Sequence, residues 1–191
     1  MNDTAFRPFE TLLDRDTALA RLRAATHGAD DGELFLERRR AEGLMFDDGR
    51  VKTASYDASE GFGLRAVRGE VTGYAHSSEV TEAALKRAVE TARLAVGAGG
   101  GTLAAGPTPT NRRLYTDADP IAGASFPVKL GTLREMDAFA RGLDARVVQV
   151  TASIAASCQE VVILRPDGQE LQDVRPMTRV NVSIIVEQEG R

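Results

Sequence analysis

Residues 148–187 read VQVTASIAASCQEVVILRPDGQELQDVRPMTRVNVSIIVE. Val148, Val150, Ala152, Ile154 and Ala156 alternate with Gln149, Thr151, Ser153 and Ser157. A period of two sends each set to one face of a strand. Val161 to Leu164 run into Pro166-Asp167-Gly168, a turn signal. Leu171 and Val174 follow, then Val180, Val182, Ile184 and Val186 alternate with Arg179, Asn181, Ser183 and Glu187. The stretch is predicted to be an antiparallel meander of about four strands, one face buried and one wetter.

Upstream, the period changes to that of a helix. Residues 126–143 carry Leu130, Leu133, Met136 or Asp137, Ala140 and Leu143 along one side. Ser125 can cap this helix, and Pro127 sits in its first turn, where a missing N–H costs little. Residues 79–97 give the clearest helix, with Val80, Ala84, Ala88, Ala92 and Ala95 on a face widened by Leu85, Val89 and Val96. Ser78 or Thr81 can cap it. Between these helices, residues 97–113 are rich in glycine, proline and small side chains and read as a flexible loop.

A second strand block precedes the 79–97 helix. Leu34 and Leu36 alternate with charged residues, and Leu44, Met45 and Phe46 lead into Asp47-Asp48-Gly49, a hairpin signal. Val51, Thr53 and Ser55, then Phe62, Leu64 and Ala66, continue the pattern to a turn at Arg68-Gly69-Glu70 and a return through Val71 to Ala75. Residues 33–77 are predicted as another meander of about four strands. A short helix is expected over residues 16–27, capped by Asp16 and stopped by Gly28. The fold class is α+β, antiparallel β meanders with helices packed on one face. The layout hints at a pseudo-repeat: helix, four strands and a second helix over 16–97, then helix and four strands over 125–187.

Bulk properties narrow the function. The 191 residues are 42% apolar and 27% charged, which is globular. No apolar run approaches the roughly 20 residues of a membrane span. No basic-then-apolar leader opens the sequence, and a lone cysteine, Cys158, excludes an internal disulfide and a cysteine-rich metal cluster. These features point to a reducing, cytoplasmic setting with no membrane partner. The net charge is −4, which offers no global basic face for nucleic acid.

Candidate chemistry is sparse. The two histidines, His27 and His76, belong to no metal-ligand pair, and His76 and Ser77 point to opposite faces of a strand. Cys158 fits a small core position. Arg38, Arg39 and Arg40, flanked by Glu37 and Glu42, are read as a solvated strand edge. Gly61-Phe62-Gly63-Leu64-Arg65-Ala66 matches a dinucleotide fingerprint in letters, but strand alternation follows it where a helix is required. Its glycines are better explained by close approach or a bulge. Arg65, on the face opposite Leu64, can pair with Glu60 or Glu70, or hold a partner's carbonyls. No catalytic constellation and no cofactor site emerges.

The run EGFGLRAVRGEVTGYAHSSEVTEAAL, residues 60–85, resembles the N-terminal region of the TldD/PmbA family, once described as modulators of DNA gyrase. The resemblance continues in LYTDADPI, and again from Arg146 through VRP at Val174–Pro176 to Gly190, where it is nearer the TldD branch. It implies a chain at least twice this length, cut near a turn after Glu187, whose C-terminal half carries zinc on an HExxxH motif. It also implies a heterodimer of TldD-type and PmbA-type chains that cleaves unfolded peptides, with metal only in the TldD type. No metal ligand carries over, so no catalytic residue is expected and this stretch alone should be inactive. Arg65 and Tyr74 are the candidate substrate-lining residues. The expected role is substrate guiding and assembly in a TldD-like zinc metallopeptidase. The alternatives are a non-catalytic PmbA-type scaffold subunit and a gyrase-binding module. An edge left unpaired near Glu187 would favour dimers.

Overall fold

The computed structural model describes residues 5–97, 102–105 and 116–188. The 97–113 loop, the start of LYTDADPI and the turn after Glu187 therefore fall largely outside the described residues. The elements in chain order are α1 (Pro8–Thr11), α2 (Arg15–Ala25), β1 (Asp31–Asp47), β2 (Arg50–Arg68), β3 (Val71–Ser77), α3 (Glu82–Val96), α4 (Phe126–Leu143), β4 (Val147–Leu164) and β5 (Glu170–Val186). The strands form one antiparallel sheet in the order β3-β2-β1-β4-β5, with the helices packed on it. This is the α+β class expected from the sequence.

Strands are fewer and longer than the periodicity predicts. Each block was expected to hold about four, whereas the first holds β1, β2 and β3 and the second β4 and β5. The 19-residue β2 joins two predicted strands, because residues 50–60 are exposed and lack an apolar period while remaining in the ladder. Both predicted hairpin turns are present. Asp48 (φ 46°) and Gly49 (φ 79°) are both left-handed, the signature of a type I′ hairpin. Gly69 (φ 55°) serves the β2–β3 turn.

Residues 5–39, 59–97, 102–105 and 160–174 make one compact unit. Leu34, Leu36, Phe62, Leu64, Val162 and Leu164 bury one sheet face against Leu22 of α2 and Leu85, Val89 and Ala92 of α3. Gly73 lets α3 approach β3: a Cβ there would lie 2.4 Å from the Ala92 carbonyl oxygen. The cap of α2 is Asp14, which accepts from the Thr17 N–H at 2.7 Å, and not Asp16. Asp16 already lies inside the first turn, where its charge suits the dipole. Thr81 caps α3 through the Ala84 N–H, one of the two expected caps.

Residues 40–58, 116–159 and 175–188 make the second unit. Here Leu133 of α4 packs with Leu44, Phe46 and Ala152, flanked by Leu130, Met136 and Ile154. The α4 bounds are those read from the sequence. Lys129 is buried on this helix, donating to the Ile121 carbonyl at 2.7 Å and pairing with Glu42. The expected buried face of the last strand is not buried. Val180, Val182, Ile184 and Val186 are 43–59% exposed, because β5 is an edge strand with nothing described against it.

The Arg38–Arg40 cluster is likewise not a solvated edge. β1 is the central strand. Arg38 makes a forked pair with Glu160 and lies 5.5 Å from the Phe6 ring centre, while Arg40 is 9% exposed and meets Asp119 at 2.9 Å. Glu160 also accepts from the Phe6 N–H at 2.9 Å. Charges taken this far from water persist because each has a partner.

Two glycines separate close approach from propensity. Gly73→Ala is expected to destabilise by about 2 kcal/mol or more, because the methyl group meets backbone. Gly131→Ala, inside α4 with open space around it, should stabilise by up to about 1 kcal/mol. Urea denaturation of the two variants measures both; equal shifts would contradict the packing described for β3 and α3.

Candidate functional site

The helices cover the even-numbered side of β1 and β2 in the first unit, so the odd-numbered side carries the accessible chemistry. There β1 presents Asp31, Glu33, Phe35 and Glu37, β2 presents Gly61, Gly63 and Arg65, and β3 presents Tyr74 and His76. Arg65 and Tyr74 are directly opposed in the β2–β3 register. The structure thus brings the two sequence candidates together as a cross-strand pair.

Their environments differ. Arg65 is one-third exposed and donates to Asp31 at 2.8 Å and Glu33 at 3.2 Å, not to Glu60 or Glu70. Glu60 has the wrong strand parity and Glu70 lies beyond the turn, whereas β1 supplies carboxylates on the same face. Arg165, 7% exposed after β4, completes the cluster through Asp31 at 2.6 Å and Glu33 at 3.5 Å. Burial alone would push the Asp31 carboxyl up. Hydrogen bonds from Arg165, the Gly32 N–H and Arg65, together with the Arg165 charge, outweigh it and hold the pKa below its ordinary 3.8. Burial pulls the Arg65 guanidinium down, and the charges of Glu33 and Asp31 more than reverse it.

Beside this cluster the face is hollow. Gly61 and Gly63 leave β2 without side chains at two successive positions. Phe35 and Glu37 rise on one flank, Tyr74 and His76 on the other, enclosing a groove of about 290 Å³. Tyr74 stacks on His76 with ring centres 5.7 Å apart and leans over Gly63, where a Cβ would meet its hydroxyl at 2.8 Å. The glycines therefore do serve close approach. The sequence reading found Tyr74 and Arg65 but missed Phe35, Glu37, Asp31, Glu33 and Arg165. The alternation of Asp31, Glu33 and Phe35 with Leu34 and Leu36 was the signal available for four of them.

Family models match both parts of the chain: "PmbA/TldA metallopeptidase domain 1" over residues 32–96 and "PmbA/TldA metallopeptidase central domain" over residues 119–191. The chain belongs to the TldD/PmbA family. Among curated relatives, a metalloprotease TldD homolog of Buchnera aphidicola from Acyrthosiphon pisum is 29% identical over 93% of this chain and 37% of its own length. The Haemophilus influenzae TldD homolog is 30% identical over 85% of this chain and 34% of its own. The chain spans about a third of the length of these TldD homologues. Solved structures share the fold. A Thermotoga maritima protein described as a modulator of a DNA gyrase superposes with a TM-score of 0.73 at 14% identity, covering 91% of this chain and 40% of that one. TldE from Thermococcus kodakarensis superposes at 0.66 and 15% identity, covering 92% and 40%.

A metallopeptidase family implies a metal. Among the described residues no three His, Cys, Asp or Glu side chains gather to hold one. His27 lies just after α2 and His76 on β3, both exposed. The residues of this TldD/PmbA region do not fit that metal. Nor does any helix among the described residues have the length and apolarity to cross a membrane.

The Asp31 cluster sets a pH dependence. A carboxyl with a lowered folded pKa contributes stability above its unfolded value, near 3.8, and loses it as pH falls through the folded value. Asp31→Asn should therefore lower the melting temperature at pH 7, and the gap to the native sequence should close as pH falls below about 4. Melting curves from pH 7 to 3 check this; a gap constant with pH would remove Asp31 from the cluster.

Proposed function

We propose that this chain is the N-terminal, substrate-guiding and assembly part of a TldD-type zinc metallopeptidase that cleaves unfolded peptides in the cytoplasm. The observation that carries the reading is β5. It is the edge of the sheet, and from Met177 to Val186 it is exposed, with Met177 at 68%. An exposed edge with apolar side chains is a template for a further strand, either a partner chain or an extended peptide. Main-chain hydrogen bonds tolerate any sequence, which suits a protease of unfolded segments. Zinc would be held by residues outside this stretch, where it would polarise the scissile carbonyl and activate water. Arg65 and Tyr74 would line the path that delivers the peptide.

A second reading keeps the same fold but makes the parent a non-catalytic PmbA-type scaffold that completes the chamber of a TldD-type partner. The similarity to TldE supports the two alike at the level of fold. A gyrase-binding module is the weakest reading, since a net charge of −4 disfavours direct DNA contact.

The test uses the full-length parent with its PmbA-type partner. We expect about one zinc per parent chain, cleavage of an unfolded casein, and no cleavage by the 191-residue chain alone. Val182→Lys with Ile184→Lys should weaken association or cleavage without a large change in melting temperature, since both side chains are already exposed. Arg65→Ala should slow cleavage. A parent without zinc would decide for the scaffold. Unchanged association and cleavage in both variants would refute guiding and assembly.

A further inference from the structure

We infer that the groove over Gly61 and Gly63 is a subsite for an arginine side chain of an extended peptide. This rests on the substrate-guiding role proposed above and names the chemistry that the guide selects.

The groove's shape comes from the strand order. A side-chain-free stretch of β2 lies between two strands that carry large groups, and β1 and β3 stand about 10 Å apart across it. A volume of about 290 Å³ is at the low end for ligand pockets, suited to one long side chain and too small for a cofactor. Aromatic faces flank the slot: Phe35 from β1, and Tyr74 stacked on His76 from β3. Tyr74 is 58% exposed, so a ligand can reach its ring. Stacked and flanking rings attract a flat cation more than a neutral amide.

Charge points the same way. Both carboxylates lining the groove, Glu37 and Glu60, are acidic, and no Lys or Arg lines it. The nearest cation along β2, Arg65, is directed to Asp31 and Glu33, so its charge is offset. A guanidinium has the planarity for the rings and the forked donors for a carboxylate at the rim. A phosphate or an acidic side chain would meet carboxylates and no cation. The flanking hydroxyls of Ser59, Ser77 and Ser78 leave room for the peptide backbone at the open end.

The experiment is fluorescence anisotropy of the 191-residue chain with a fluorescein-labelled nonapeptide of Gly, Ser and Ala around one central Arg. The controls carry Gln or Glu at that position. Saturable binding is expected for the Arg peptide, about tenfold weaker for Gln and weaker still for Glu, with affinity falling as salt rises. Tyr74→Leu, which keeps bulk and removes the ring, should weaken the Arg peptide about tenfold, and Glu60→Gln should reduce the Arg-over-Gln preference. A melting curve for each variant confirms the fold. Equal affinity for Arg and Gln peptides, no saturable binding, or an unchanged Tyr74→Leu variant would overturn the subsite. Cleavage of Arg-containing and Arg-free unfolded peptides by the parent separates the two ideas: equal cleavage of both refutes the arginine subsite while leaving the guide role standing, and no zinc in the parent refutes the peptidase reading on its own.

Discussion

The burial of one sheet face governs the first unit. Leu34, Leu36 and Leu64 are fully buried, and Phe62, Val162 and Leu164 nearly so, all against α2 and α3. Each such side chain contributes about 1.5–3 kcal/mol when taken from water. Because a strand alternates, fixing these residues inward fixes Asp31, Glu33, Phe35, Gly63 and Arg65 outward. The register of β2 on β3 then has no freedom, since a slip by one residue would expose Leu64 and bury Arg65. The ion cluster and the groove are both consequences of that alternation.

Local chemistry made much of the fold legible. The bounds of α4 follow from a proline in the first turn and an apolar repeat, and Asp48-Gly49 dictates the hairpin that it forms. Strand length was not legible. β2 runs through Tyr56-Asp57-Ala58-Ser59-Glu60 without an apolar period, because those residues are held by the ladder and wetted by solvent. A hydrophobic pattern reports burial, and strands can outrun the core that generates it. The same reasoning misplaced β5, whose regular alternation suggests a buried face although its side chains are exposed. The cap of α2 slipped by two residues because Asp14 and Asp16 are chemically equivalent in sequence and differ only in backbone angle.

The site was legible in part for a related reason. Tyr74 and Arg65 stand in a glycine-punctuated strand pair, which is visible locally. Their partners are not. Arg65 finds Asp31 and Glu33 more than thirty residues away, and Arg38 finds Glu160 across 122. Charged residues at a sequence position look alike whether they end in water or in a forked ion pair. Only strand order distinguishes them, and the placement of β1 at the centre turned an apparent polar edge into an interior one.

These features combine into one picture of the TldD/PmbA N-terminal region: a sheet sealed on one side in the first unit, hollowed on the other over two glycines, and exposed along a long edge strand. The chemistry of hydrolysis is assigned to residues outside this stretch, and the recognition of an extended chain to the residues within it. Hydrogen–deuterium exchange on the full-length parent, with and without a saturating unfolded peptide, tests that division most directly. Protection is expected at residues 59–63 and 74–78 around the groove and along β5. Protection confined to the rest of the parent, with these segments unchanged, would contradict a guiding role for this region.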